Sequence, residues 1–326
     1  MSLWRDSEKY IEKSLRQIEG IENELKDEYS LLYSFYENDS IDNTPSLLNN
    51  WLKKRNGNLI SEINGYRKWG SQQSKQRTKT LAKYRNICLR ELIKKDFDFL
   101  LILDSDIIYE SIIIRDMINL LHNRPKIGMV TANTMQSFSS LQKKRAIDFY
   151  YDSWALVDKR GNPGLTYRAN PFLLDENRKA WENGQIINVN SAFGGAALTR
   201  SEIIKEKDVI WDGEKGCEHW SFCERIRSQN YLIVVDPKIK AYTYERKSSK
   251  PDIFLLLRDN LRIKLADKCN NKRKIDVYIN LLIKGALNTA NLLLMIKRLI
   301  STIIRYIQFK ASTIDQSFHK DSTKSM

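Results

Sequence analysis

An α/β fold, with a mainly parallel central sheet flanked by helices and a helical C-terminal extension, is predicted by three features of the 326-residue sequence. Apolar runs of strand length alternate with helical stretches between residues 30 and 133, the pattern of a parallel sheet covered on both faces. One run, FDFLLILD (97–104), is continuously apolar but for its aspartates, as a strand buried on both faces must be. Beyond residue 250 the alternation gives way to Leu- and Ile-rich helical stretches studded with Lys and Arg.

The elements follow in order. Residues 7–27 carry Tyr10, Ile11, Leu15, Ile18, Ile21 and Leu25 at near-helical spacing and predict an amphipathic helix. SLLYSFYE (30–37) is a strand that stops at the turn formers NDSIDNT. Thr44 as N-cap with Pro45 at the first helical position starts a helix through Leu52. NLISEI (58–63) is a second strand, and RTKTLAKYRNICLRELIKK (77–95) a basic helix leading into the apolar run. IIIRDMINLLHN (112–123) is helical and KIGMVTAN (126–133) strand-like. Residues 134–184 read as irregular substrate loops, 185–200 as strand and turn, 217–229 as helix, and YLIVVDP (231–237) as the last strand. Residues 253–267 and 276–310 are helical, and a frayed tail follows. The domain reading is 1–250 catalytic and 251–326 a basic extension.

Hydrophobic residues at 42% and charged residues at 29% describe a globular chain, not a disordered one. The polar N-terminus, MSLWRDSEKYIEK, does not read as a signal peptide or anchor, and four scattered cysteines demand no disulfide framework or zinc site. A cytoplasmic location is expected. Net charge is +14, which favours anionic partners such as phosphorylated substrates, nucleic acid or an acidic membrane face. In 278–309 the residues Lys284, Lys297, Arg298 and Arg305 interrupt the apolar run, so it lacks the roughly 20 clean residues of a span. Two placements of that segment remain open: peripherally on the membrane's cytoplasmic face, or packed on the catalytic domain or on a second copy of the chain.

The sharpest chemical signal is FDFLLILDSDI. The buried strand delivers Asp104 and Asp106, with Ser105 between them, to its C-terminal end, where open α/β sheets bind ligands. Two carboxylates suit Mg²⁺ or Mn²⁺, which takes few protein oxygens and completes its shell with substrate phosphates. Glu37, Asn38, Asp39 and Asp42 lie on the turn after the first strand and can bind a ribose or base edge, although turn chemistry alone explains the same residues. Arg77 and Arg85 fall about 80° apart around their helix and can both face a diphosphate, with Asn86 beside them.

Taken in order, strand-ENDSxDNT, R-x3-LA-x2-RN and LDSD resemble GT-A glycosyltransferases, and within them the fungal capsule-associated α-mannosyltransferase family and the Golgi mannan polymerase family. FYYDSWALVDKRG (149–161), VNSAFGGAAL (189–198) and GCEHWSFCERI (216–226) are similar to further stretches of the capsule family, so the likeness covers roughly residues 30–240. Phe193-Gly194-Gly195 stands where that family has Trp-Asn-Gly. The resemblance implies a GT-A fold and metal-dependent, retaining transfer of a sugar, mannose from GDP-mannose, to a glycan or lipid-linked acceptor in polysaccharide biosynthesis. Under it, Asp104, Asp106 and His219 are expected to hold the metal, and Glu37, Asn38, Asp39, Arg77, Arg85, Asn86, Asp104, Ser105, Gly194 and Gly195 the donor. Glu218 and Asp152 are the expected catalytic carboxylates, and Trp154 and Trp220 suit sugar stacking, although such residues are more often core.

Two other classes use the same features. A nucleotidyltransferase acting on a sugar phosphate would use the same aspartates, but no glycine-rich phosphate loop is present. A nucleic-acid-binding protein would explain the charge, but the basic residues are scattered without aromatic interleaving.

Overall fold

A segment of three residues, too short to show any periodicity, forms an interior strand of the sheet's parallel half. In the computed structural model, which describes residues 1–66, 68–69, 74–138, 147–206, 209–244 and 253–266, β1 (Ser2–Trp4) pairs in parallel with β2 (Tyr33–Asn38) on one side and β4 (Phe99–Asp104) on the other. Helix α1 (Glu8–Leu25) joins β1 to β2, α2 (Thr44–Leu52) leads to β3 (Gly57–Glu62), and α3 (Lys75–Leu92) returns to β4. Then come β5 (Ile107–Tyr109), α4 (Ile112–Asn123), β6 (Ile127–Phe138), β7 (Ile147–Tyr150), β8 (Val157–Asp158), α5 (Asp175–Glu182), β9 (Ile187–Ser191) and β10 (Ala196–Arg200). The series ends with α6 (Ser201–Glu206), α7 (Glu218–Arg227), β11 (Leu232–Thr243) and α8 (Ile253–Ala266).

The sheet runs β3-β2-β1-β4-β10-β6-β11-β9-β8, with β5 paired to β11 and β7 to β6. It is mixed, not mainly parallel. β3, β2, β1 and β4 are parallel, as are β6 and β11, but β10 runs antiparallel between β4 and β6. The reason is local. β10 leaves a turn at the C-terminal end of β4, pairing Ala196 with Leu103 and finally Arg200 with Phe99, so it must run back. The stretch expected to be irregular, 134–184, holds the end of β6, β7, β8 and α5.

Each face of the sheet carries its own core. On one, α1 buries Ile11, Leu15, Ile18, Ile21 and Leu25 against Leu48 and Leu52 of α2 and Ile114, Met117 and Leu121 of α4. On the other, Ala82, Cys88 and Leu89 of α3 pack with Phe222, Cys223 and Ile226 of α7. Fully burying a Leu, Ile or Phe contributes roughly 1.5–3 kcal/mol, so these two layers dominate the folding free energy. Capping matches the sequence to within a residue. The N-cap of α2 is Asn43 rather than Thr44, and the Thr44 hydroxyl instead accepts from the Ser7 N–H at 2.7 Å, joining α2 to the start of α1. Ser74 caps α3 by accepting from the Arg77 N–H.

The chain divides into two units, Met1–Asp259 and Asn260–Met326. The expected helix over 276–310, the tail and Cys269 lie outside the described residues. No helix among the described residues is long and apolar enough to cross a membrane.

Candidate active site

β4 ends at Asp104, and the turn Asp104-Ser105-Asp106 is held from three directions. The Asp104 N–H donates to the Gly195 carbonyl at 2.7 Å. The Ser105 carbonyl accepts from Ser14 Oγ of α1 at 2.6 Å, and the Asp106 carbonyl accepts from the Tyr244 N–H at 2.7 Å. With the backbone fixed this way, both carboxylates are carried on a rigid strand end, as a site that must hold a ligand in one geometry requires.

Arg85, reaching across from α3, is the counter-ion at this strand end. Its Nη2 lies 3.2 Å from Asp104 Oδ1 and 3.8 Å from Glu218 Oε1 at the first residue of α7. Its guanidinium sits 4.8 Å from the Phe193 ring centroid, and its Nε and Nη1 have no hydrogen-bond partner among the described residues. Even so, burial holds the Asp104 carboxyl above its usual range. Arg85 opposes that shift and Glu218 adds to it.

Asp152, in the loop after β7, completes the cluster. Its Oδ2 accepts from the Gly194 N–H at 3.0 Å and its Oδ1 from the Ala155 N–H at 3.3 Å. Burial pushes its carboxyl up to about 6, with the charges of Asp104 and Glu218 acting in the same direction. The two glycines therefore link the two aspartates, since Gly194 binds Asp152 and Gly195 binds Asp104. Both have positive φ, 65° and 70°. A Cβ on Gly194 would lie 2.2 Å from the Ala132 carbonyl oxygen, and one on Gly195 2.8 Å from Ile107 Cγ2. The close approach expected at these glycines is thus made by the protein's own backbone and side chains. Tyr151, beside Asp152 in the sequence, is a further neighbour of the cluster. Burial pushes its phenol well up, and Asp106, Asp104 and Asp152 push the same way.

His219 takes a packing position. Its ring stacks on Phe193 at 3.9 Å, and its Nδ1 accepts from the Trp211 indole N–H at 3.3 Å, which leaves the proton on Nε2 facing Glu218 Oε1 at 3.6 Å. Burial, followed by the charges of Arg85 and Arg77, keeps the ring neutral. Among the described residues no three His, Cys, Asp or Glu side chains form a metal-holding group. His219 is therefore removed from the expected metal set, which reduces to Asp104 and Asp106.

Other expected donor residues are spent on the protein itself. Glu37 is buried, and its carboxylate accepts from the Ser40 N–H at 2.9 Å and Ser61 Oγ at 2.5 Å. Asp39 Oδ1 accepts from the Asn64 and Gly65 N–H groups at 2.7 and 2.8 Å, while Asn38 donates to its Oδ2 at 2.8 Å. Asp42 takes the N–H groups of Thr44 and Glu8, both at 3.0 Å. Asn86 donates to the Trp211 carbonyl at 2.7 Å and accepts from its N–H at 3.0 Å, so its amide clamps the loop before α7 and replaces the expected donor contact. Arg77 remains at the site: its guanidinium lies 5.7 Å from the Trp154 ring, whose backbone carbonyl accepts from the Trp220 indole at 3.1 Å.

The donor set fits a hard divalent cation. Asp104 shares Arg85 with Glu218, Asp152 is tied to Asp104 through the glycine turn, and burial is the main cause that raises both the Asp104 and the Asp152 carboxyls. Mg²⁺ or Mn²⁺ bound through one or two carboxylates, with the remaining positions left to phosphate and water, matches two aspartates on one turn.

A family model described as cryptococcal mannosyltransferase 1 matches residues 2–231 and so spans β1 through α7. A search of curated protein sequences found no match. Among solved structures, Staphylococcus aureus TarS residues 1–349 is similar at 15% identity and TM-score 0.45, over 89% of this chain and 71% of that one. A mannosyltransferase of Pyrobaculum calidifontis, PcManGT, solved with GDP-Man and Mn²⁺, is similar at 14% identity and TM-score 0.46, over 89% and 69%. With the family model covering well over half of its length, the chain belongs to the cryptococcal mannosyltransferase 1 family and is a glycosyltransferase.

Proposed function

We propose that this glycosyltransferase transfers a hexose, mannose from GDP-mannose, from a nucleoside-diphosphate donor to a glycan or lipid-linked glycan, with Mg²⁺ or Mn²⁺ held by Asp104 and Asp106. The observation that carries the reading is the gathering of Asp104, Asp152 and Glu218 near Arg85 and Arg77 at the C-terminal end of β4, with Asp106 two residues further along the same turn. The cation would supply positive charge to the departing diphosphate. The chain's own residues do the rest. Arg77, the unshared face of the Arg85 guanidinium and Ser105 orient the diphosphate, and Asp152, fixed by Gly194, binds sugar hydroxyls. Glu218 is enclosed by Arg85, His219 and Cys217. That suits a carboxylate that positions Arg85 better than one taking a proton from an incoming hydroxyl. This favours retention of configuration, with the leaving phosphate as base, over inversion through Glu218.

A thermal-shift series with GDP, UDP and ADP, each with and without Mn²⁺, tests the donor side, because a ligand of the native state raises the melting temperature by mass action. GDP with Mn²⁺ is expected to give the largest shift. Equal, negligible shifts for all three would remove the donor reading. The anomeric configuration of the product, read by NMR, tests retention.

A further inference from the structure

Strand alternation builds a second cleft on the opposite face of β6 and β11. The register pairs Lys240 with Asn133 and Tyr242 with Met135, and residues two apart share a face, so Lys238, Lys240 and Tyr242 project together beside Asn133. Ser137 pairs with Asp148 of β7 and extends the same face, while Trp181 and Glu182 at the end of α5 form the far wall. Together they line a cleft of about 430 Å³, within the range of pockets that hold small ligands. Thr134, between Asn133 and Met135, points the other way and donates to the Gly194 carbonyl. The cleft and the turn joining Asp104 to Asp152 are thus back to back on one strand.

We propose that this cleft is a remote subsite for a neutral glycan, the part of the acceptor beyond the sugar being extended. The aromatic walls suit the apolar faces of pyranose rings. Trp181 is fixed edge-on by Tyr150 at 5.8 Å and tilted on Phe172 at 5.5 Å, while Tyr242 is 41% exposed. Asp148, Glu182, Lys238 and Lys240 supply acceptors and donors for hydroxyls. Among the described lining residues two carboxylates balance two ammoniums, which favours a neutral ligand over an anionic polymer or a nucleic acid. Among the lining residues, Asn133 keeps its buried Oδ1 with no hydrogen-bond partner among the described residues. Buried polar atoms are ordinarily satisfied, and a hydroxyl-rich ligand acting through a bridging water would satisfy this one. The inference rests on membership of a glycosyltransferase family, not on the choice of donor or metal.

Affinity electrophoresis of the full chain, at a polarity suited to a basic protein, in gels cast with soluble α-mannan, dextran or heparin tests it. At least one neutral polymer is expected to retard the wild type. Tyr242→Ala and the surface variant Lys238→Ala, neither of which touches the catalytic cluster, are expected to weaken that retardation roughly three- to tenfold, the loss of one aromatic or charge-assisted contact. Donor hydrolysis by both variants should stay at the wild-type rate, so a wild type that is retarded but hydrolyses nothing would count against the proposed function and support this subsite. Retardation by neither neutral polymer, retardation by heparin alone, or unchanged retardation in both variants would overturn it.

Discussion

At Arg85 a single guanidinium answers Asp104 and Glu218 together, in a pocket walled by Phe193. Removing it leaves the two carboxylates without their one close ion-pair partner, so Arg85→Ala should cost about 3 kcal/mol of stability, at the low end for a broken buried pair because Asp104 is partly exposed and Arg77 still acts on it. Urea denaturation near neutral pH measures this, and Arg85→Lys should recover part of the loss. Asp152 sets a pH dependence of the opposite kind to the usual carboxylate. Its folded-state value of about 6 lies above the ordinary 3.8, so the native state holds the proton more tightly than the unfolded chain. Its stabilising effect is then full below about pH 4 and is lost as pH rises through 6. In chelator-treated protein, Asp152→Asn should flatten the fall in melting temperature between those limits. Asp104, also raised, leaves a residual slope. An unchanged slope would show that Asp152 titrates normally. The residue types at this site were legible in the sequence, but their partners were not. Glu37, Asp39 and Asn86 are equally suited to a ribose or a backbone N–H, and only the fold reveals that the N–H groups of Ser40, Asn64, Gly65 and Trp211 claim them.

The Gly194-Gly195 turn shows how one short segment positions two chemical groups. It holds Asp152 through one N–H and Asp104 through one carbonyl, and positive φ at both residues leaves no room for a Cβ. Gly194→Ala should destabilise the protein by more than about 1 kcal/mol and misplace Asp152, because the left-handed conformation disfavours a side chain and the Ala132 carbonyl blocks it. Loss of activity with an intact far-ultraviolet circular dichroism spectrum would be the signature. Elements with long apolar periods were read correctly, because a dozen or more residues average out local noise: α1 and α4 are examples. β1 was missed because three residues carry no period, and its place in the sheet comes from pairing with Phe35 and Leu103. The antiparallel direction of β10 was equally invisible, since strand direction is set by where the preceding turn lies. Sequence did expose the strand-end aspartates, because a buried apolar run that ends in two carboxylates has few purely structural uses.

Taken together, the parallel half of the sheet brings the strand end of β4, with Asp104 and Asp106, to one edge of the site. The antiparallel insertion of β10 brings the glycine turn, Asp152 and α7 to the other. Under the proposed function a cation and a diphosphate bind at Asp104 and Asp106. The most direct test is release of nucleoside diphosphate by the full chain from a panel of GDP- and UDP-sugars, with Mn²⁺ or with excess chelator, for wild type and Asp106→Asn side by side. The account predicts release with Mn²⁺ from GDP-mannose above the others, loss of at least a hundredfold in chelator, a comparable loss in Asp106→Asn (about 2.7 kcal/mol in activation free energy), and unchanged melting of the variant. Full release in chelator, or full activity of Asp106→Asn, would contradict it.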